Sequence, residues 1–322
     1  MNSVFCLFKD DCTDIGVKMR NLDLSIIIVN YNTFKLTKET IDSCLAEPTH
    51  YTYEIFLVDN KSTDDSLEKL EDYFKDEISR GTVKVIANSS NDGFAKANNL
   101  AIEQAGGEYI LLLNSDTLVK EGTIDKCMDY MTKGTNADVG ALGCKVSLED
   151  GSLDKACKRS FPNPANAFYK LFNVKTSSGK DDYNLDDLDD DGVYEIDCLV
   201  GAFMLVRRTA IDDIGLLDDT FFMYGEDIDW CYRIKQAGWR IVYFGEAEII
   251  HYKGASSEDK KTKKRNPKLI YEFYRAMYIF YRKHYTKKYN VFVNIAVYIG
   301  IAVLLVFNLI RNALRSWSIR YS

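Results

Sequence analysis

Residues 109–113 form an apolar run that ends abruptly in the polar residues Asn114, Ser115 and Asp116. Such a run predicts a central strand buried on both faces, as strands of parallel sheets are. In open parallel sheets, ligands bind just beyond the carboxyl ends of the strands. A carboxylate there, such as Asp116, is well placed to hold a hard divalent cation, which a diphosphate requires. A simple polar turn after the strand is the alternative interpretation.

Earlier segments repeat this pattern, with helical patterns between the apolar strands. Strands are predicted at residues 24–29, 54–58, 83–87 and 109–113, and helices at 37–45, from Ser62 or Thr63 to 74, and at 94–104. The alternation predicts a Rossmann-like α/β fold with a mainly parallel sheet and flanking helices. In the less regular second half, strands are predicted at residues 197–206 and 241–244, and a helix at 229–236. The sequence lacks GxGxxG and Walker motifs, which argues against NAD enzymes and P-loop nucleotide hydrolases.

Acidic residues stand at corresponding places of this pattern. Asp59 and Asp116 each follow an apolar strand, and the pair Glu226 and Asp227 precedes a predicted helix. Because parallel strands bring their carboxyl ends to one edge of a sheet, these acids can converge on one cleft. Each also has a simpler interpretation: a strand-end aspartate is often a turn residue, and Asp227 could be a helix N-cap. The neighbouring Asp229 is expected to pair with Arg233 along the helix face.

Residues 180–191 contain seven aspartates and imitate the start of an EF-hand loop. The twelfth position is Cys198, where that loop needs a bidentate glutamate, so a solvated acidic loop is predicted instead.

The charge of the chain is uneven. Residues 253–322 carry 15 Lys/Arg and 3 Asp/Glu, a net charge of +12, whereas the whole chain carries −7. A basic tail on an acidic body indicates an anionic partner. Residues 291–310 are 20 uncharged residues, about the length that crosses a bilayer, although Asn294, Gly300 and Asn308 weaken the pattern. A membrane surface is therefore predicted rather than nucleic acid, with the segment either spanning the bilayer or lying in its interface. A buried helix packed on the body is the alternative.

The N-terminal residues and the cysteine pattern indicate the cellular compartment. No signal peptide is recognised, because the apolar start of the chain is cut short by Lys9, Asp10 and Asp11. The eight cysteines form no CxxC pair, so neither a zinc site nor a disulfide framework is predicted. Free thiols in a reducing cytosol are expected.

Seven motifs occur in an order that resembles family 2 glycosyltransferases of the rhamnosyltransferase-like branch. They are SIIIVNYN, EIFLVDNKSTDDS, NSSNDGFAKANNLAI, YILLLNSDT, VGAFMLVRR, FFMYGEDIDWCYRIKQAGWRIVYF and IIHYKGAS, and together they cover about residues 22–256. The resemblance implies the GT-A fold, a single Rossmann-like domain that binds a nucleotide sugar and a divalent cation, Mg²⁺ or Mn²⁺.

The resemblance also implies roles for individual residues. The residues expected to bind the nucleotide sugar are Asn30, Asn32, Asp59, Lys96, Asn114 and Asp116, with Asp59 accepting a hydrogen bond from the pyrimidine N3–H. Asp116, at the position of the family's DxD motif, and His251 are expected to hold the metal. Asp227 matches the general base, and Glu226 would orient it or touch the acceptor. Gly201 and Ala202 are expected on the acceptor side.

Four parts of the chain are predicted: an N-terminal extension (1–21), a GT-A domain (22–256), a basic helical linker (257–290) and an apolar membrane-associated or transmembrane helix with a basic tail (291–322). The predicted function is an inverting, metal-dependent glycosyltransferase at the cytoplasmic face of the membrane. It would move L-rhamnose from dTDP-rhamnose to a lipid-linked or cell-surface polysaccharide, with residues 152–192 shaping the acceptor pocket.

Three alternatives remain open. One is transfer from another pyrimidine-nucleotide sugar, such as a UDP-sugar. A sugar-1-phosphate nucleotidyltransferase would need a Gly-rich basic loop, which residues 24–40 lack. A non-catalytic, membrane-docked binding module would be expected to have lost Asp59, Asp116 and Asp227, and all are present.

Overall fold

The computed structural model describes residues 22–164, 183–252 and 265–318, in which helices surround a central nine-stranded sheet. The strands are β1 (Leu22–Asn30), β2 (Tyr53–Asp59), β3 (Val83–Ala87), β4 (Gly107–Asn114), β5 (Thr117–Val119), β6 (Val139–Leu148), β7 (Val193–Glu195), β8 (Phe203–Arg207) and β9 (Arg240–His251). The helices are α1 (Phe34–Leu45), α2 (Ser66–Tyr73), α3 (Lys75–Arg80), α4 (Phe94–Ile102), α5 (Thr123–Thr132), α6 (Arg208–Ile214), α7 (Glu226–Gln236), α8 (Pro267–His284) and α9 (Val291–Ser318). Short 3₁₀ turns lie at Gly134–Asn136 and Lys155–Cys157.

The strand order is β3-β2-β1-β4-β8-β6-β9-β5, and β7 pairs with β9. The first four strands of this order are parallel, as the alternating pattern predicted. Beyond β4 the sheet is mixed, because β8 runs antiparallel to β4 and β6, whereas β6 and β9 are parallel. In register, Asn30 lies beside Asp59, and Val29 lies beside Asn114. The polar ends of β1, β2 and β4 therefore meet at one edge of the sheet.

The apolar runs occupy the centre of the molecule. Ile26, Ile27 and Ile28 of β1 are completely buried, and so is Ile110 of β4. Consecutive residues of a strand point to opposite faces, so burial of successive residues means that both faces of these strands are covered. The rigid centre holds the strand ends, and the polar residues on them, in fixed relative positions.

Several elements differ from the sequence predictions. The helix after β2 begins at Ser66, because Ser62 and Thr63 form hydrogen bonds with Asn32, just after β1, instead of capping the helix. The strand predicted at residues 197–206 is shorter and lies later in the chain, at Phe203–Arg207. The residues before it form a loop.

The acidic loop is held by ion pairs in its described part. Lys145, Lys155 and Lys158 lie 2.7–2.8 Å from Asp191, Asp186 and Asp190, respectively. Lys158 is itself buried, so the loop is fixed against the body rather than merely solvated.

Helix α8 packs against the body of the domain. Ala276, Phe280 and Tyr285 form an aromatic-rich cluster with Phe221 and Tyr232. The predicted division at residues 256 and 257 remains a prediction, but the part of the following segment that begins at α8 is in contact with α7 and the loop before it.

Candidate active site

The ends of β1 and β2 are joined through the side chain of Asn30. Its Nδ2 donates to Asp59 Oδ1 (2.8 Å) and to Ser62 Oγ (3.0 Å). Its Oδ1 accepts from Thr33 and Thr37, at 3.0 and 2.8 Å. Asn30 is completely buried and fully hydrogen-bonded, so it positions Asp59.

Asp59 is held by its neighbours but keeps acceptor capacity. Besides the bond from Asn30, Oδ1 accepts from the Ser62 hydroxyl, and Oδ2 accepts from the Ser62 backbone N–H at 3.0 Å. A carboxylate has about four acceptor positions, so Oδ2 has one free for a donor such as a nucleobase N–H. Asp59 also lines a cleft of about 310 Å³ together with Ser62, Ala87 and Asn88.

Asn32 and Lys96 occupy the outer part of the same edge. Asn32 has a positive φ of 56° and exchanges hydrogen bonds with Thr63, at 2.7 Å for the bond from the Thr63 N–H. Lys96 lies on α4 and pairs with Asp92 at 2.7 Å. The Lys96 ammonium is therefore engaged four residues back on its own chain, and reaching a nucleotide would require it to leave Asp92.

The predicted metal residues are Asp116, in the turn just before β5, and His251, at the end of the adjacent strand β9. Thr117 of β5 pairs with His251 of β9, which brings Asp116 Oδ1 to 3.1 Å from His251 Nε2. On the other side of the ring, Asp154 Oδ2 lies 3.7 Å from Nδ1, an electrostatic contact that is too long for a hydrogen bond. Burial alone would lower the pKa of His251, but the bond to Asp116 and the charges of both aspartates raise it to about 9.

The donor set of Asp116 and His251 fits a divalent cation that is completed by substrate. A carboxylate oxygen faces a ring nitrogen, and the buried Nδ1 makes no hydrogen bond within the described part of the chain. Three or more metal-ligating side chains do not converge anywhere in the described ranges. This arrangement suits Mg²⁺ or Mn²⁺, since such ions commonly take one or two protein carboxylates and complete their coordination with phosphate oxygens and water.

Asp227, in the first turn of α7, is fixed by three donors. Arg159 Nη2 lies 3.0 Å from Oδ2, the Gly201 N–H lies 3.4 Å from the same oxygen, and the Ile228 N–H donates to Oδ1 at 2.8 Å. Arg159 is nine-tenths buried and also donates to the carbonyl of Leu199. The buried guanidinium of Arg159 and the two backbone N–H groups therefore fix the orientation of the Asp227 carboxylate.

In the described part of the chain, the adjacent Glu226 lacks the hydrogen-bond donors that surround Asp227. It is buried, and its Oε2 has no hydrogen-bond partner among the described residues. Burial, with a further contribution from the charge of Asp227, raises the pKa of Glu226 to about 8. At neutral pH this favours the protonated form of the Glu226 carboxyl group.

Short contacts connect the strand ends near Asp59 and Asp116 with the start of α7 near Asp227. The Asn114 N–H donates to the carbonyl of Ala202 at 3.1 Å, and the neighbouring Gly201 N–H points to Asp227. On the other side, Thr33 contacts both Asn30 and Ser115. The structure thus brings the predicted nucleotide, metal and acceptor residues to one edge of the sheet, with Lys96 directed at Asp92.

Sequence reasoning missed Arg159, Asp154 and Ser62. Arg159 lies 68 residues before Asp227, in a segment without a regular pattern, so no local signal could have paired them. Ser62 was assigned to a helix cap, although its position three residues after Asp59 allows the hydrogen bonds that it makes.

Comparison with known proteins identifies relatives of this chain. A family model described as "Glycosyl transferase family 2" matches residues 25–215, more than half of the chain. An N-acetylglucosaminyl-diphospho-decaprenol L-rhamnosyltransferase of Mycobacterium tuberculosis is 25% identical over 261 residues, which cover 73% of this chain and 77% of that protein. Rhamnosyltransferase WbbL of Escherichia coli is 29% identical over 237 residues, which cover 70% of this chain and 82% of that protein.

Solved structures share the fold at lower identity. The structure of GalNAc-T7 with UDP, GalNAc and Mn²⁺ matches with a TM-score of 0.55 and 19% identity, over 72% of this chain and 44% of that one. The mannosyltransferase PcManGT from Pyrobaculum calidifontis, in complex with GDP-Man and Mn²⁺, matches with a TM-score of 0.53 and 15% identity, over 80% of this chain and 62% of that one. The chain therefore spans less than two thirds of each of these structures. The likeness concerns the fold alone, and it confirms the predicted GT-A fold.

Proposed function

The chain belongs to glycosyl transferase family 2, and on that premise we propose that it transfers L-rhamnose from dTDP-rhamnose, with inversion, to a lipid-linked or cell-surface polysaccharide. The observation that carries the proposal is the connection from Asn114 through Ala202 and Gly201 to Asp227. It supports the proposal because a strand end that could hold a cation then lies near a carboxylate that could accept a proton, and sugar transfer from a diphosphate needs both. Two relatives named as rhamnosyltransferases support the choice of donor sugar.

The base of the donor would be read by Asp59. Its Oδ2 has a free acceptor position beside the cleft, and the network of Asn30 and Ser62 keeps the carboxylate in place. An acceptor of this kind suits the N3–H that thymine and uracil share. A UDP-sugar therefore remains the alternative donor, since the same contact serves both bases.

Asp116 and His251 would hold a divalent cation against the donor diphosphate. When bound, the cation neutralises the charge that develops on the leaving diphosphate. Two fold neighbours were solved with Mn²⁺, which supports Mn²⁺ or Mg²⁺ as the cofactor. For His251 to act as a ligand, its ring must lose the proton that the two neighbouring aspartates favour.

Asp227 would accept the proton of the attacking hydroxyl. Arg159 and the Gly201 N–H orient its carboxylate, with one oxygen shared between them. A carboxylate held in this way can take the proton as the hydroxyl attacks. The hydroxyl oxygen attacks the anomeric carbon, the bond to the diphosphate breaks, and the proton moves to Asp227, so a single displacement inverts the configuration.

The acceptor and the site of action are proposed from the surroundings of Asp227. Gly201 and Ala202 lie beside it, and the described parts of the loop 152–192 border the same region through Arg159. Helix α9 is long and apolar enough to cross a membrane by length and composition. Together with the basic residues after position 253, it supports action at the cytoplasmic membrane face.

The test is donor selection by the purified full-length protein. Release of nucleoside diphosphate is measured for dTDP-rhamnose, UDP-sugars and GDP-sugars, each with Mn²⁺, with Mg²⁺ and with excess EDTA. We expect turnover with dTDP-rhamnose and a cation, and none with EDTA. Preference for a GDP-sugar would contradict the role of Asp59, and full activity in EDTA would contradict the role of Asp116 and His251.

A further inference from the structure

Helix α9 presents a continuous apolar face to its surroundings. The most exposed large side chains of this helix recur at helical spacing and include Val291, Phe292, Ile295, Ile299, Val303, Val306, Phe307, Ile310 and Leu314. We call these nine residues the apolar stripe of α9. None of them is covered by another described part of the chain, since each is at least half exposed. An exposed apolar surface of this length indicates a partner.

The opposite face of α9 carries its amides, and they bind α8. Asn294 Oδ1 accepts from the Tyr281 hydroxyl at 2.7 Å, and Asn308 Nδ2 donates to the Tyr274 hydroxyl at 2.7 Å. Asn312 exchanges two hydrogen bonds with the backbone of Arg265, just before α8. The asparagines that weakened the membrane pattern in the sequence are therefore the residues that pair α9 with α8.

These contacts extend along almost the whole helix. From Asn294 to Asn312 the chain rises about 27 Å at 1.5 Å per residue, which is close to the thickness of a bilayer core. Helix α8 runs antiparallel beside this stretch and is shorter, with charged residues Lys268, Glu272 and Arg275 along it.

Helix α8 is in turn fixed to the catalytic body. Arg275 Nη1 donates to the Thr220 carbonyl at 2.9 Å. His284 Nε2 lies 2.7 Å from Asp229 Oδ1, and Lys283 Nζ lies 2.8 Å from the same oxygen. Asp229 belongs to α7, which also carries Glu226 and Asp227. The hairpin of α8 and α9 is thus one unit with the active-site helix.

A spanning α9 conflicts with this packing. If α9 crossed the bilayer with α8 attached, Lys268, Glu272 and Arg275 would enter the hydrocarbon core, where charged side chains are costly. If α9 left α8 to cross alone, Asn294, Asn308 and Asn312 would lose their partners in a medium that offers none.

We propose that α9 lies in the plane of one leaflet, with its apolar stripe in the acyl boundary of an anionic bilayer and its asparagine face on α8. The charge of the tail favours an anionic bilayer as the partner of the stripe, because residues 253–322 carry a net charge of +12 and anionic headgroups attract such segments. This orientation places the active-site helix, joined to α8, at a fixed distance from the membrane surface. The inference rests on the proposed action at a membrane, and it adds that α9 does not cross the bilayer.

The first experiment determines the sidedness of the chain. Full-length protein with different epitope tags at its two ends is expressed, and sealed right-side-out and inside-out membrane vesicles are treated with protease. We expect both tags to be cleaved only in inside-out vesicles. Cleavage of the C-terminal tag only in right-side-out vesicles would show that α9 spans, which would overturn the in-plane orientation and leave membrane action intact.

A second experiment tests the apolar stripe. The double variant Ile299→Glu/Val303→Glu is compared with a control, Ser79→Glu/Thr135→Glu, which adds the same two charges at exposed positions on α3 and on the 3₁₀ turn Gly134–Asn136. In flotation with vesicles of phosphatidylglycerol and phosphatidylethanolamine, we expect the double variant to lose at least tenfold in bound fraction and the control to bind like the unmodified protein. With phosphatidylcholine alone, binding of the unmodified protein should fall.

Two outcomes of this second experiment would overturn the proposal. One is a soluble dimer whose formation depends on the stripe, which would make a second copy the occupant. The other is equal vesicle binding by the double variant and the control. Sugar transfer to a soluble acceptor analogue is measured on the same samples, so failure of membrane docking remains distinguishable from failure of the proposed enzymatic activity.

Discussion

At the scale of single residues, the neighbouring Glu226 and Asp227 lie in contrasting environments. Both stand in the first turn of α7, yet Asp227 has three donors and Glu226 has a buried oxygen without a partner. Burial raises the pKa of Glu226 to about 8, and different environments are how neighbouring carboxyl groups acquire different roles. We therefore propose Asp227, which three donors orient, as the proton acceptor.

Replacing Asp227 with asparagine tests this assignment. Asp227→Asn keeps the shape but removes the proton acceptor, so we expect kcat to fall by about 10²- to 10⁴-fold while the affinity for the nucleotide sugar is retained. Steady-state kinetics and titration calorimetry measure the two quantities. Glu226→Gln is the companion variant. If Asp227→Asn lost only a few-fold in kcat and Glu226→Gln lost more, Glu226 would be the base.

The raised pKa of His251 predicts a pH-dependent metal affinity. With a pKa of about 9, the ring is protonated at neutral pH in the protein without metal, whereas a metal ligand must be neutral. Binding therefore releases a proton, and the affinity for Mn²⁺ in the presence of dTDP should rise about tenfold per pH unit between pH 7 and 9. In His251→Ala, the affinity should be weaker and this slope should disappear. An unchanged slope would mean that His251 is not a ligand.

At the scale of secondary-structure elements, Asp229 joins α7 to α8. Its side chain is fully buried and contacts Arg233, Lys283 and His284. Burial would raise the pKa of Asp229, but hydrogen bonds from His284 and Lys283, with the charges of Arg233 and Lys283, lower it to about 2. A depressed carboxylate pKa stabilises the fold above the unfolded value near 3.8, and this stabilisation is lost as pH falls through about 2.

Removing the Asp229 carboxylate should weaken the contact between α7 and α8. Asp229→Ala removes a buried carboxylate that pairs with Arg233, Lys283 and His284, so we expect a loss of about 3–5 kcal/mol in the free energy of unfolding at neutral pH. Asp219→Ala, at an exposed position in the nearby loop, should change it by less than about 0.5 kcal/mol. Urea unfolding measures both variants. Equal, small effects would show that the ion cluster does not hold α8 on the body.

The elements also show which parts of the fold the sequence could predict. Strands β1, β2 and β4 were found because their apolar runs reflect burial on both faces. Strand β6 was missed because Gly140 and Gly143 lower its strand propensity. A Cβ at these positions would lie 2.7 Å from Trp239 and 2.5 Å from Leu199, respectively, so glycine is required by a close approach that only the fold reveals.

Prediction of the site residues from the sequence is limited in the same way. Asp59, Asp116 and Asp227 follow from strand ends and motif order, whereas Arg159 and the partners of Asp229 on α8 depend on contacts across more than fifty residues. Such contacts leave no periodic signal.

At the scale of the whole molecule, the question is whether the catalytic body needs α9. Deleting the residues after Asn290 removes the apolar stripe but keeps α8, which the ion pairs of Asp229 and the cluster around Phe280 hold to the body. We therefore expect the truncated protein to fold and to leave the membrane fraction. Donor hydrolysis, or transfer to a soluble acceptor analogue, should continue at a similar kcat.

The truncation also exposes what α9 covers. Tyr281 and Tyr285 are buried in the intact chain and Tyr298 of α9 packs near them, so the melting temperature should fall by a few degrees without loss of a cooperative transition. Transfer to the natural lipid-linked acceptor should fall much more than transfer to the soluble analogue, because the enzyme and this acceptor would no longer share a surface. Fractionation at low and high salt, calorimetry and the two transfer assays separate these effects. An unfolded truncated protein would show that α9 is a core element of the body, and a full-length protein that is soluble without detergent would exclude the membrane as its partner.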